Sequence, residues 1–395
     1  MQAVAANLSH LEKQAIFSIA VLFALRMLGL FMIVPLFALY AHSLKGATPF
    51  LIGVALGCYG LSQALLQMPF GLWSDRFGRK PVILTGLIIF LLGSIIAALS
   101  HTVWGMILGR TLQGAGAIGS ATQALLADLT RPAQRTKAMA AVGITIGLSF
   151  TLAMIIGPLL SGLLAMSGIF WLSSFMALAG IVILLKIVPT PLAIKNDQAK
   201  PFSLTEIKAV LHNSQLWRLN IGILLLHAIL TANFLALPLA LQNFAGLPAA
   251  HQWYVYLPAL LVAFMIVMPI LRRSAIREDA QGLTLKMVIL LGIAQLLLIV
   301  LPHSALCITF CLCLFFTAFT LLEATLPSAV SKIAPVVYKG TALGIFSSCQ
   351  FFGIFLGGIL GGWLYHQFHI TGIFAGGLVL TILWILSVAR YSRMG

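Results

Sequence analysis

The chain has 395 residues, of which 61% are hydrophobic and only 8% charged, with a mean hydropathy of +1.08 and a formal net charge of +15. Soluble globular domains carry about 25% charged residues, so this composition excludes a water-soluble fold and makes lipid the solvent for most of the surface. The positive charge does not point to nucleic acid, because the basic residues flank apolar runs instead of forming a patch or stripe.

Residues 1–14 hold Glu12 and Lys13 and lack a cleavable signal pattern, so the first apolar run is expected to stay as a spanning helix. Such a helix needs about 20 apolar residues. Twelve runs qualify, at 15–41, 49–73, 81–100, 103–127, 137–165, 168–188, 219–243, 252–271, 284–301, 304–328, 340–364 and 371–390. The expected class is all-α integral membrane. The polar stretch 189–218, with Lys195, Asp197, Lys200, Glu206 and Lys208, splits the spans into halves at 1–188 and 219–395. Of the 23 Lys and Arg residues, Arg26 and Arg110 fall inside spans and Lys45 in the first loop; the other 20 lie at the termini or in and beside the even-numbered loops. The positive-inside rule then places both termini and the central linker in the cytoplasm. Two six-helix halves imply a pseudo-two-fold pair of bundles around a cavity near the bilayer midplane, with access alternating as one half rocks against the other. The five cysteines, Cys58, Cys307, Cys311, Cys313 and Cys349, sit in apolar runs without metal-type spacing. They are expected to pack, with neither disulfides nor a metal site.

Between the second and third spans the chain reads Gly71-Leu72-Trp73-Ser74-Asp75-Arg76-Phe77-Gly78-Arg79-Lys80-Pro81. Gly71 permits close helix approach, Gly78 a tight turn, and Pro81 suits the first turn of the next span. Asp75 is an anion suited to a helix N-terminus. This run resembles the cytoplasmic G-x-x-x-D-R-x-G-R-K/R loop of the major facilitator superfamily at every defining position. The resemblance implies that Asp75 meets the start of the eleventh span near Gly340 to Ala342, and that Arg79 pairs with Asp128 at the end of the fourth. It further implies that Gly71, Asp75, Arg76, Gly78, Arg79, Lys80 and Asp128 form a latch closing the cytoplasmic side. A purely topogenic basic loop is the plain alternative. The matching loop of the second half, around Leu271 to Lys286, keeps charge but not the pattern.

The fourth span carries Arg110-Thr111-Leu112-Gln113-Gly114-Ala115-Gly116, similar to the family's R-x-x-Q-G-x-G motif. A continuous helix rising 1.5 Å per residue puts Arg110 roughly 30 Å from Arg131, well inside the membrane or toward its outer face. An intramembrane arginine is costly and functional by default. The resemblance gives Arg110 a part in proton coupling; a structural arginine satisfied by Gln113 and neighbouring carbonyls is the other reading. Arg26, about 20 Å from Lys13, lies close to the midplane. In the fifth span Gly143, Gly147, Gly157, Pro158 and Gly162 offer a small-residue packing face and a kink. The stretch resembles the antiporter motif G-x-x-x-G-P-x-x-G-G of drug-efflux branches, with Ala153 and Ser161 in place of two glycines.

Of the eight acids, Glu323 alone interrupts a span, the tenth, so it is the one carboxylate that can be alternately shielded and hydrated. Shielding favours its protonated form. Glu323 lies nine residues from Lys332, and His227 in the seventh span nine from Arg218, so each sits about 13 Å from its anchor. Equal depth makes them candidate partners for a coupling proton. Phe31, Gln113, Phe234 and Phe351 are candidate cavity residues.

The run Arg26 to Tyr40, with Glu323-Ala324-Thr325-Leu326-Pro327-Ser328 and Lys339-Gly340-Thr341-Ala342, also resembles the YajR-like branch of bacterial drug:proton antiporter-type exporters. Some members carry a ferredoxin-like domain after the last span; this sequence ends five residues beyond Arg390, so that domain's functions are not expected. The resemblance implies a monomeric exporter in a bacterial inner membrane, moving small molecules against protons without a cofactor. An uptake symporter of the same fold is the alternative. A membrane enzyme is disfavoured by the lack of paired metal-binding acids, a His-rich cluster or a serine nucleophile with a base, and ATP-driven pumping by the lack of a phosphate-binding glycine-lysine loop.

Overall fold

The computed structural model describes residues 8–190, 204–274, 280–335 and 338–392. Among them the chain is helical, apart from turns and one isolated bridge between Lys45 and Thr102. Hydrocarbon offers no water to a free backbone N–H or C=O, so apolar runs of this length resolve into helices that satisfy those groups internally.

The first span is α1 (His10–Phe31) followed by α2 (Val34–Tyr40), interrupted at Met32 and Ile33. Pro35, at the start of α2, lacks the N–H that would bond back to Phe31, which is why the helix breaks there. The second and third spans are α3 (Pro49–Phe77) and α4 (Arg79–Leu99). The fourth, expected as one helix over 103–127, is instead broken into α5 (Val103–Ala115) and α6 (Gly119–Asp128). The fifth and sixth are α7 (Arg135–Ser161) and α8 (Met166–Lys186).

The polar linker contains a short helix that its composition does not announce, α9 (Leu204–His212). Lys195, Asp197 and Lys200 lie outside the described residues. The seventh to tenth spans are α10 (Ser214–Asn243), α11 (Trp253–Ser274), α12 (Ala280–Val300) and α13 (Ala305–Ile333). The eleventh and twelfth are continuous as α14 (Lys339–Ser392), with the chain turning at His369, where φ is 56° and ψ is −154°. Ten of the helical stretches among the described residues are long and apolar enough to cross a membrane. The broken fourth span escapes that count and α14 carries two spans, so the crossings number twelve.

Successive crossings alternate between two faces. One, here the linker face, gathers the starts of α1, α4, α7, α10 and α14, tied by contacts such as Arg131 to Glu12 and Lys80 Nζ to the Val188 carbonyl at 2.6 Å. At the opposite, far face, Thr48, Thr102 and Ser304 cap α3, α5 and α13 by accepting the backbone N–H groups of Leu51, Gly105 and Cys307.

The two halves meet most tightly near the far face. There α3 and α14 cross glycine on glycine: a methyl at Gly53 would overlap the Gly358 carbonyl oxygen, and one at Gly57 would stand 2.8 Å from that of Phe355. On the same side α2 packs on α10 and Gly162 faces Ala250 of the other half, while within the first half the Tyr40 hydroxyl donates to the Ser161 carbonyl at 3.3 Å. Toward the linker face, α3 and α14 separate until Gly344 is met only by the flexible tip of Met68. The halves therefore form a V, closed at the far face and parted at the linker face. Gly53→Ala places a methyl into backbone atoms that cannot yield, a clash worth about 1–3 kcal/mol. It is expected to push the equilibrium toward a conformation with the far-face seam apart, read as slower alkylation of Gly147→Cys in a background without native cysteines.

Candidate functional site

The loop between α3 and α4 forms as its residue types demand. Gly78 has φ 93°, a conformation open to glycine and strained for other residues, and its turn delivers Arg79 to the start of α4. Arg79 ion-pairs with Asp75, donates from Nη1 to Ser74 Oγ at 2.8 Å and from Nε to Asp128 Oδ2 at 2.9 Å. Gly71 lets α6 approach, its Cα face meeting Ser120. Lys80 reaches the end of α8 through Val188 and Thr190, and the Arg76 guanidinium lies over the Phe77 ring.

The contact expected between Asp75 and the start of the eleventh span is not made. Gly340 faces open space, and the Thr341 hydroxyl donates instead to Glu206 Oε2 of α9 at 3.0 Å. Separation of the halves at this face accounts for it, since Asp75 moves with the first half and α14 with the second. A second ion pair, Glu12 with Arg131, joins α1 to the loop before α7; Glu12 is enclosed and accepts from the Arg131 backbone N–H as well as Nε and Nη2. Those bonds push the Arg131 pKa up.

Both intramembrane arginines are enclosed in the first half. Arg110, 2% exposed, donates to Gln113 Oε1 at 2.9 Å and lies 5.1 Å over the Tyr59 ring, while Gln113 donates on to Ser94. Arg26, 3% exposed, donates to Gln63 Oε1 and to the Gly116 carbonyl at 2.7 Å. Gly116 lies in the break between α5 and α6, so Arg26 bonds a carbonyl at the point where the helix is interrupted.

Two sequence expectations fail here. Gln113 is buried in that network and Phe234 is packed against Tyr256 inside the second half, so neither lines an opening. Phe31 and Phe351 do stand between the halves, Phe31 edge-on to Phe150, which meets Phe316, and Phe351 against Tyr59. The fifth-span glycines also divide. Gly157 packs on the Met32 backbone, Pro158 is buried beside it, and Gly162 meets Ala250, whereas Gly143 and Gly147 have nothing within 4 Å and face the parted side. They are not packing glycines in this conformation.

The seventh, tenth and eleventh spans bring together three polar side chains. His227 Nε2 stands 3.7 Å from Glu323 Oε2, and Gln350 of α14, not anticipated, joins them. Its amide Nε2 is 3.0 Å from Glu323 Oε1 and 3.0 Å from His227 Nε2. The His227 Nδ1 is 3.2 Å from the Ile223 carbonyl, a group that can only accept, which fixes the ring proton on Nδ1 and leaves Nε2 to accept from Gln350. Glu323 is 39% exposed as a side chain, yet its Oε2 is buried and without a hydrogen-bond partner. The arrangement has one vacant acceptor, so it can take a proton without breaking a covalent bond. Gln350 lies eleven residues from Lys339, roughly 16 Å along α14; counting polar residues by depth in that span too would have found it.

The Major Facilitator Superfamily family model matches residues 19–358. The chain is a member of the Major Facilitator Superfamily. It is 42% identical over 374 residues to the inner membrane transport protein YajR of Escherichia coli K12, covering 95% of this chain and 82% of that one. Over 111 residues, 28% of the chain and 27% of the relative, it is 40% identical to the class B tetracycline resistance protein of Escherichia coli. Among solved structures, a mutant of the nucleoside transporter NupG shares the fold with a TM-score of 0.77 at 16% identity, covering 96% of this chain and 99% of that one. This facilitator is thus a multi-pass membrane transporter of small molecules, and its family and relatives are transporters, not enzymes.

Within the facilitator loop, Arg79 and Arg76 should behave differently. Arg79→Ala strands two carboxylates and is expected to lower stability by about 1 kcal/mol, as for a half-exposed ion-pair network. Arg76→Ala should stay within about 0.5 kcal/mol. Thermal unfolding of the two variants in the same detergent checks the order.

Proposed function

We propose that this facilitator is a proton-driven antiporter that exports small apolar, amphipathic or anionic molecules across a bacterial inner membrane, working as a monomer by alternating access. The observation that carries the reading is the contact of Glu323 with His227 through Gln350, the one carboxylate cluster among the described residues that lies within the spans, away from both faces. In this reading the linker face is cytoplasmic, because in the sequence 20 of the 23 basic residues fall at the termini or in and beside the even-numbered loops. The described conformation is then open to the cytoplasm. A proton that enters at the far face is held by the Glu323–His227 pair and released inward, and that passage drives outward movement of the cargo.

Export over uptake is supported by the fifth-span Gly157-Pro158 run and by the likeness to a tetracycline resistance protein. Arg26 and Arg110, whose amide networks hold them within the first half, supply positive charge that draws an anionic group toward the cavity. The Asp75, Arg79 and Asp128 cluster acts as the cytoplasmic latch, with Asp75 reaching the start of α14 once the halves close on that side.

The test is transport in proteoliposomes of a compound selected because it raises the thermal stability of the purified protein. With the lumen acidic relative to the bath, wild type is expected to accumulate the compound, and Glu323→Gln to lose at least ~10²-fold of the gradient-driven rate while keeping gradient-independent exchange, as loss of one proton-carrying group implies. Full gradient dependence in Glu323→Gln removes that residue from the mechanism. Accumulation only with the opposite gradient makes the protein a symporter.

A further inference from the structure

We propose that Gln350 is the positioning residue through which proton occupancy at Glu323 and His227 shifts α14, an inference that rests on the proton-coupling reading above. In the structure one amide nitrogen serves both partners, at 3.0 Å to Glu323 Oε1 and 3.0 Å to His227 Nε2. That requires two acceptors, an imidazole with a bare Nε2 and a carboxyl oxygen without a proton, a need met most strongly when Glu323 is ionised and the ring is neutral. The amide therefore ties α14 to α10 and to α13 at the same time.

Adding one proton weakens this bridge wherever it lands: on the ring it removes an acceptor, and on Glu323 it removes the charge that strengthens the bond to Oε1. On His227 Nε2, the new N–H faces the amide N–H groups, two donors meet, and the Gln350 amide must turn away or present its oxygen. On Glu323 Oε2, the unpartnered oxygen, the new O–H points to His227 Nε2 across 3.7 Å, and closing that gap displaces the amide from the ring. In both cases one N–H or O–H bond forms, the charge of the cluster rises by one, no covalent bond within the cluster breaks, and the proton later leaves to water on the other face. A tie from α14 to α10 is exchanged for one from α13 to α10.

The position of α14 gives that exchange its reach. The same helix supplies Gly358 and Gly362 to the seam with α3, and Phe351, beside Gln350, meets Tyr59 of α3. Close packing of Gly353 on Leu224 and of Gly357 on Ala228 keeps α14 against α10, so the change at Gln350 acts as a local shift of α14 beside the seam and not as its release. The other ionisable groups on the described parts of these helices are Arg218 on α10, Cys307, Cys311, Cys313 and Lys332 on α13, and Lys339, Cys349, Tyr365, His366 and His369 on α14, with Tyr59, Arg26 and Arg110 across the interface. None of these is hydrogen-bonded to the three side chains among the described residues, and both arginines are bound within the first half.

The experiment pairs two readouts on the full chain in nanodiscs: the infrared carboxyl band that titrates with pH, assigned by its loss in Glu323→Gln, and the spin-label distance between the two halves at the linker face. Gln350 stabilises the proton-free state, so Gln350→Met, which keeps length but donates nothing, is expected to raise the pH at which the band is half present by about one unit, and to leave the distance insensitive to that titration. Gln350→Glu, close in shape and a second anion, should raise the midpoint further, and it serves if the Met variant does not fold. A midpoint unchanged in both variants, or a distance that still follows the band as in wild type, overturns the role of Gln350 alone. A wild-type protein with no titrating band that depends on Glu323 overturns the proton-coupling reading itself.

Discussion

Hydrocarbon cannot solvate a charge, and that constraint organises the molecule. Among the described residues every acid but Glu323 and most basic residues lie at the linker face, and the ionisable groups that remain inside must find protein partners or be able to become neutral. Arg26 and Arg110 meet the demand with amides, a backbone carbonyl and aromatic rings. Glu323 meets it differently, with one oxygen bonded to Gln350 and the other bare. A carboxyl group partnered on one oxygen and open on the other has a place for an added proton, which a transporter that consumes a proton gradient requires.

The fold turns a local change there into a change of shape because the halves touch over unlike surfaces at their two ends. At the far face the seam is backbone on backbone, with glycines at Gly53, Gly57, Gly358 and Gly362 leaving no give. Nearer the linker face the contacts are longer and softer, a Met68 thioether tip and a Ser348 hydroxyl donating to the Ala64 carbonyl. Such a joint pivots instead of compressing. Phe31, Phe150 and Phe316 cross the middle as edge-on rings, a packing that tolerates small rotations.

Much of this was legible in the residues. Depth counting along straight helices brought His227 and Glu323 together across seven and ten because helical rise is fixed and both spans remain unbroken between the anchor and the site. The loop chemistry of Gly78, Arg79 and Asp128 was legible because a tight turn and a short charge cluster are local. The break at Met32–Ile33 carries a local signal in Pro35, which an apolar count passes over because hydropathy averages over a span; the break after Ala115 has no such signal, and Arg26 bonding the Gly116 carbonyl is a tertiary event. Nor could the sequence choose between conformations. Asp75 was expected at the start of α14, yet with the halves parted Thr341 takes Glu206 of the linker helix, and Gly143 and Gly147 face open space for the same reason. Gln113 and Phe234 were misjudged because burial inside one half and burial between the halves share one composition.

The central claim is that protonation within the spans and the opening of one face are a single equilibrium. It is tested most directly by cysteine accessibility at Gly147, on the parted side, and at Ala38, packed near the far face, measured across a pH series in wild type and in Glu323→Gln. The account predicts that the two sites change reciprocally with pH in wild type and that both become insensitive to pH in the variant. Sites that open together, or a reciprocal change that persists without the carboxylate, would contradict it.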